Sequence, residues 1–456
     1  MITRRHLLSQ LGAGFGLTAF SALQAQNTLA PRRSHFPGKA KHVIFLFLNG
    51  GLSHVDTFDP KPELQKRHGQ PMPGGNRGPS APRAASCARR SEFRRCGQSG
   101  VEVSEIFPEV GSLIDDICVV RSTYTHNPIH ESALMMMNCG DIQPGRPSMG
   151  SWLTYGLGTE NQSLPGFVVL CPGMPVVGPP LWNSAFLPAA FQGTHIRNNE
   201  ADPYKLIPNL RNAEYTAARQ RKQIDLLARL NRLHASRHDD DPELDATVQS
   251  MEVAFRMQTE ALDAFDVRRE PEAIQEEYGA AGNDFARGCL LARRLVERGV
   301  RMVQVFYGNG QPWDNHDDIL VHRKLAAQSD RPIAALIRDL KRRGLFEQTV
   351  IIVTSEFGRT PTVENSAAVK VQNGRDHNPY GFTTLLAGGG FRGGLAYGAT
   401  DDFGFRAVEN RAHVHDIHAT VLHQLGLDHT RLTFRYSGRD FRLTDVAGRV
   451  IRDIVV

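Results

Sequence analysis

Met302-Val303-Gln304-Val305-Phe306 and Thr349-Val350-Ile351-Ile352-Val353 bracket a helical pattern near 331–343 that stops at Gly344. Short apolar runs rich in β-branched residues read as strands, and a glycine just past a periodic segment reads as a helix C-cap. Strand, helix, strand in that order is a parallel crossover unit. Working outward, Phe285, Cys289, Ala292 and Val296 predict a helix ending at Gly299, and Phe382 to Ala387 predicts a further strand. Gly388-Gly389-Gly390 follows it and reads as a turn, because no helix start or Lys-Ser/Thr comes after. Ile417, Val421, Leu422 and Leu425 mark a closing helix before Gly426.

Upstream, His42 to Leu48 is one apolar run closed by Asn49-Gly50-Gly51, the pattern of a strand covered on both faces. Ile117–Val120 and Phe167–Leu170 are short strand candidates, and 132–137 suits a buried helix. Residues 172–210 read as an irregular excursion. Ile224, Leu227, Leu230 and Leu233, then Val248, Met251, Phe255, Leu262 and Phe265, form helical stripes of core-packing type. The expected fold is therefore α/β: a doubly wound, mostly parallel sheet with helices on both faces, and a helical insertion over 211–300. Residues 35–456 are expected to form one domain.

The chain has 456 residues and a formal net charge of +5. Six arginines between 77 and 95 face one acid, Glu92, so that segment holds the whole excess. A spread basic face is missing, which argues against a nucleic-acid partner. Residues 74–99 lose all periodicity and read as a disordered surface loop, or as a stretch out of frame with the rest. Thr3-Arg4-Arg5-His6-Leu7-Leu8, the apolar Leu11–Leu23 and Ala22-Leu23-Gln24-Ala25 predict a twin-arginine signal peptide over 1–30, hence export to the periplasm or beyond. Six cysteines show no C-x-x-C pair; a Cys87–Cys96 bridge is the one short-range option.

Ligands of open parallel sheets bind beyond the carboxyl ends of the strands. Asn49, His54 and Asp56 follow the first strand, Asp314 and His316 follow the strand at 302–306, and Glu356 and Arg359 follow the strand at 349–353. Asp376 and His377 precede a strand, and share that edge only if their strand runs antiparallel. Carboxylates and imidazoles are the donors that divalent metals take. Arg121, Arg146, Arg359 and Arg375 offer forks for an anionic ester. Neither a Gly-x-Ser-x-Gly elbow nor a His-Glu-x-x-His helix is present, which leaves a serine triad and a zincin unsupported.

Four longer motifs carry a resemblance. They are Gly50-Gly51-Leu52-Ser53-His54-Val55-Asp56-Thr57-Phe58-Asp59-Pro60-Lys61-Pro62, Gly145-Arg146-Pro147-Ser148-Met149-Gly150-Ser151-Trp152, Ser355-Glu356-Phe357-Gly358-Arg359-Thr360-Pro361 and Gly438-Arg439-Asp440-Phe441. Together they resemble the DUF1501 family, exported proteins that look like a branch of the alkaline phosphatase and sulfatase superfamily. Asp416 to Leu422 with Leu425-Gly426 resembles the closing helix of sulfatases. The resemblance implies a two-metal site. It places Asp314 and His316 on one metal, Glu356-Phe357 where an Asp-His pair usually stands, and His377 near a late histidine ligand. Asn49 stands where the superfamily has a ligating Asp, with Asp56 as a substitute. Counting back from Cys139-Gly140 places His130 at the nucleophile position, as nucleophile, base or metal ligand.

The sequence thus leads to an exported hydrolase of sulfate or phosphate esters, small or polysaccharide, using one or two divalent ions, zinc or calcium. Its expected ligands are Asp314, His316, Glu356, Asp376, His377, Asn49, His54 and Asp56; His130 is catalytic, and Arg121 and Arg359 bind substrate. The alternative is a non-catalytic binding protein that keeps the fold.

Overall fold

In the computed structural model, residues 29–73, 91–207, 216–235, 255, 262–363 and 373–456 are described. Nine strands make the main sheet: β1 (His42–Phe47), β2 (Ile117–Tyr124), β3 (Phe167–Leu170), β4 (Thr194–Ile196), β5 (Met302–Phe306), β6 (Thr349–Thr354), β7 (Phe382–Ala387), β8 (Leu395–Tyr397) and β9 (Ala412–His413). Their order is β8-β2-β7-β6-β1-β5-β3-β4, with β9 also pairing with β2. Strand β1 lies at the centre, parallel to β5 (Val43 opposite Met302) and to β6 (His42 opposite Thr349). Only β7 runs against its neighbours, antiparallel to both β2 and β6.

Five helices cover the sheet: α1 (His130–Cys139), α2 (Met149–Leu157), α3 (Asp284–Glu297), α4 (Val321–Arg342) and α5 (Val414–Gln424). Every residue of β1 is buried. The pleat sends alternate side chains to opposite faces. Ile44 and Leu46 pack in the core that holds Leu290 of α3 and Ile333 of α4. Val43, Phe45 and Phe47 pack in the other core, with Leu134 of α1, Trp152 of α2 and Val421 of α5. The continuous apolar run of 42–48 is what a strand between two helical layers requires. The α/β doubly wound architecture is as the sequence implies.

Several boundaries differ from the sequence reading. Helix α4 begins at Val321, ahead of the 331–343 pattern, and carries Pro332 inside it. A proline usually marks a first turn; here Leu325, Ala326 and Ser329 are buried ahead of it and extend the core-facing side. Helix α3, placed by the sequence reading within an insertion over 211–300, packs on the sheet itself, with Leu290, Leu291 and Val303 in one core. Of the 74–99 loop, residues 74–90 lie outside the described residues, but Phe93–Cys96 pairs antiparallel with Val101–Ser104. Burial of Val101 and Val103 anchors that hairpin. Most of the signal sequence, Val248, Met251 and Cys87 also lie outside the described residues. No helix among the described residues is long and apolar enough to cross a membrane.

Candidate metal centre

The carboxyl ends of β1, β5 and β6 open onto one edge. Since β7 is antiparallel, the segment entering it starts at that same edge, so Asp376-His377 joins the other clusters there. Strand β1 ends in a turn that only glycine makes without strain: Gly50 has φ +118° and Gly51 +94°. A Cβ at Gly50 would lie 2.5 Å from the Asp314 backbone nitrogen. That close approach seats the Asp314 loop against the β1 end.

Asp314 is the hub. His316 Nε2 lies 2.9 Å and His377 Nε2 3.2 Å from its Oδ1, and His130 Nε2 lies 3.3 Å from its Oδ2. His316 Nε2 and His377 Nε2 are 3.0 Å apart. His130 is the first residue of α1, and its other ring nitrogen, Nδ1, donates to Glu356 Oε1 at 2.7 Å. His377 Nδ1 donates to the Pro128 carbonyl at 2.7 Å. Both imidazoles are thereby held by one nitrogen, leaving Nε2 aimed at Asp314. This is the outer support that metal-bound histidines ordinarily have. The ligand atoms of His130, Asp314 and His377 all lie within 4.8 Å of one another. Atoms each 2.0–2.1 Å from a tetrahedral zinc stand about 3.3 Å apart, a spacing that His377 Nε2 has from Asp314 Oδ1 and His130 Nε2 from Oδ2. His316 sits on the open side, its side chain 32% exposed.

The same contacts shift the pKa values of these groups. Burial works to raise the Asp314 pKa, but hydrogen bonds from three imidazoles and the Arg359 charge hold it well below the usual carboxylate range. Burial opposes charge on His130, yet its bonds to Asp314 and Glu356 raise it to about 9. Burial lowers the His377 pKa, against Asp314 and together with Arg359.

The other expected residues go elsewhere. Glu356 accepts Gly50 N–H at 2.9 Å and His130 Nδ1–H, so it stands one imidazole removed from Asp314. Asp56 forms a two-pronged pair with Arg375 at 2.7 and 3.0 Å and accepts Ser53 Oγ–H, which uses its oxygens. Buried His54 bonds the Gly404 carbonyl at 2.7 Å. Asn49 turns its amide to the Gly310 carbonyl, leaving a buried Oδ1 without a partner. Asp376 Oδ1 accepts the His377 backbone N–H, while Oδ2 is buried and unpartnered. Arg121 donates to the Phe58 and Glu102 carbonyls, and Arg146 pairs with Asp141. Neither reaches Asp314 with a hydrogen bond. Arg359 is fully buried, so it presents no fork to a substrate. Its guanidinium contacts Asp314 Oδ1 at 2.5 Å and the carbonyls of Gly50, Gly51, Trp313 and Arg375. Phe357 packs its ring 4.7 Å from His130 and 4.6 Å from His377. The supports at Gly50 N–H and the Pro128 carbonyl escaped the sequence reading, because backbone groups carry no residue signature.

A family model described as "Protein of unknown function (DUF1501)" matches residues 40–455. The chain belongs to the DUF1501 family. No curated protein matches it. Similar solved structures include the PsFucS1 sulfatase from Pseudoalteromonas sp., at 13% identity over 90% of this chain and 70% of that one, with a TM-score of 0.34. A phosphonate monoester hydrolase from Silicibacter pomeroyi is 12% identical over 76% of this chain and 71% of that one (TM-score 0.34). The lipoteichoic acid synthase LtaP from Listeria monocytogenes is 8% identical over 92% and 80%, with a TM-score of 0.37. In the DUF1501 chain the motifs around Gly50, Glu356 and His377 all meet at the sheet edge just described.

Proposed function

We propose that this DUF1501 protein is an exported, metal-dependent hydrolase of sulfate or phosphate esters, built on a single donor group. His130, Asp314 and His377 would hold a divalent ion, with His316 at its open side. The observation that carries this reading is the pinning of His130 Nδ1 and His377 Nδ1, which leaves both Nε2 atoms directed at Asp314. Imidazoles with one carboxylate favour zinc-type ions over calcium, which takes six or more oxygens. When bound, such an ion acidifies water and polarises an ester oxygen.

The chain's own groups do the rest. Glu356 fixes the orientation of His130, and the Gly50 N–H fixes Glu356. Arg359 holds Asp314 ionised. No hydroxyl or thiol hydrogen-bonds His130, Asp314 or His377 among the described residues. The attacking oxygen is therefore assigned to water, and His316 is placed to take its proton or to deliver one to the leaving oxygen. The twin-arginine segment supports export.

The same lack of a side-chain nucleophile favours a second reading, a binding protein without turnover. Metal content and turnover on aryl sulfate and aryl phosphate panels separate the two. Bound metal with hydrolysis lost in His316→Ala supports the hydrolase. A metal-free protein, inert on both panels and indistinguishable from His316→Ala, would sink it.

A further inference from the structure

We infer that Arg359 is a built-in cation, and that the centre takes one divalent ion, among the imidazoles that meet Asp314. The inference rests on the metal-centre reading above and fixes a number that the sequence leaves at one or two. Gly51 O, Trp313 O, Arg375 O and Asp314 Oδ1 lie 3.0, 3.3, 3.1 and 2.5 Å from guanidinium nitrogens, and Gly50 O is closer still. Carbonyl and carboxylate oxygens converging in this way are the donor set of a hard cation. Here the cation is part of the chain, fully buried and always charged.

The positive φ values of Gly50 and Gly51 belong to the turn that brings their carbonyls to Arg359. A Cβ at Gly51 would lie 2.9 Å from Arg359 Nε, so the backbone is moulded to this side chain. Asp314 Oδ1 meets Arg359 together with His316 and His377, and Oδ2 faces His130, so Arg359 stands beside the imidazoles as a fixed positive charge. Phe357 closes the space between them, with its ring against both His130 and His377 and 6.0 Å from the Arg359 Cζ. Of the nearby carboxylates, Asp56 is engaged by Arg375 and Ser53 and Glu356 by Gly50 and His130, which leaves one oxygen of Asp376 unpartnered. Among the described residues, one group of three or more metal-type side chains comes together.

The test is a count of Zn2+ per chain by plasma emission after saturation and dialysis, with melting temperature as a second readout. The full chain should hold one ion, and Asp314→Asn none. Arg359→Ala should melt lower and recover part of the loss with millimolar methylguanidinium, which leaves the unaltered protein unmoved. Two ions in the unaltered protein, or an Arg359→Ala protein indifferent to methylguanidinium, overturn the inference alone. No ion at all overturns the metal centre with it, so the two failures are distinguishable. Should Arg359→Ala not fold, Arg359→Lys keeps the charge and must still hold one ion; two ions there also refute the assignment.

Discussion

The α3–α4 layer and the sheet edge each bury a charge cluster, and the two are built on opposite plans. In the helical layer, Arg293 is fully buried and meets Glu270 at 2.6 Å, Asp339 at 2.8 Å and Glu297 at 2.8 Å. Arg343 adds contacts to Asp339 and Glu297 at 3.0 and 2.8 Å. Guanidinium and carboxylate groups dominate there, with the Tyr278 hydroxyl donating to Asp339 at 3.2 Å, so the network largely neutralises itself. At the sheet edge one carboxylate, Asp314, serves one guanidinium and three imidazoles. Imidazoles carry lone pairs as well as protons, and the edge cluster therefore has donor capacity left over. Burial alone does not distinguish the two plans; the kind of group that meets the carboxylate does.

Breaking each cluster should give opposite signatures. Arg293→Met leaves Glu270 and Asp339 as buried carboxylates short of a partner, and should cost about 3–5 kcal/mol of stability. Its metal content should stay at that of the unaltered protein. Asp314→Asn should abolish metal binding while costing less stability, about 1–3 kcal/mol, because its side chain is 23% exposed. Chemical denaturation with metal analysis on both variants checks the contrast. Metal loss in Arg293→Met at full stability would reverse it.

Acid should sharpen the same contrast. Burial lowers the pKa of His322 and of His418 to about 3, and both are 2% exposed. Each stays neutral in the folded chain, while the unfolded chain takes up a proton below its ordinary value near 6.5. The unfolded state then binds more protons, so stability falls as pH drops from about 6.5 towards 3. The slope is about 1.4 kcal/mol per pH unit for each histidine. Between pH 6.5 and 5 the pair should remove about 3 kcal/mol, the slope reaching its full value only below the unfolded pKa. Burial raises Glu270 and Asp339, but Arg293 outweighs it and holds both below their ordinary values. Their contribution is present above the unfolded carboxylate range and is lost only at lower pH. Denaturation midpoints should therefore decline from pH 7 to 5 in the unaltered protein, and less steeply in Arg293→Met, where burial of Glu270 and Asp339 is no longer offset by Arg293. A slope reduced by about 2.7 kcal/mol per pH unit in His322→Gln, His418→Gln would assign their share, the rest coming from groups such as His413, which burial also lowers to about 3.

What the sequence revealed follows from which interactions are local. β1, β3, β5, β6 and β7 were legible because a strand buried on both faces must be a continuous apolar run. The direction of β7 was not, since no local pattern distinguishes parallel from antiparallel entry. Asp314, His316 and His377 could be placed at the edge by topology and resemblance. The pairing of Asp56 with Arg375, 319 residues away, could not. It turned an expected ligand into a structural ion pair. Glu356 lies at the expected edge, and only the fold shows that His130 stands between it and Asp314.

Glu356 gives the finest division between the two plans. Among the described residues its carboxylate touches no other charged group at hydrogen-bond distance except His130, and its second role is to receive Gly50 N–H. Glu356→Gln keeps the shape and one acceptor oxygen but removes the charge that makes His130 a better electron donor. Outer-shell losses of this kind weaken metal binding by roughly 10–100-fold, equivalent to about 1.4–2.8 kcal/mol. Zn2+ competition against a chromophoric chelator should show that weakening with the one-ion stoichiometry retained. An unchanged affinity would place His130 outside the ligand set. A complete loss of binding would move Glu356 into direct contact with the ion.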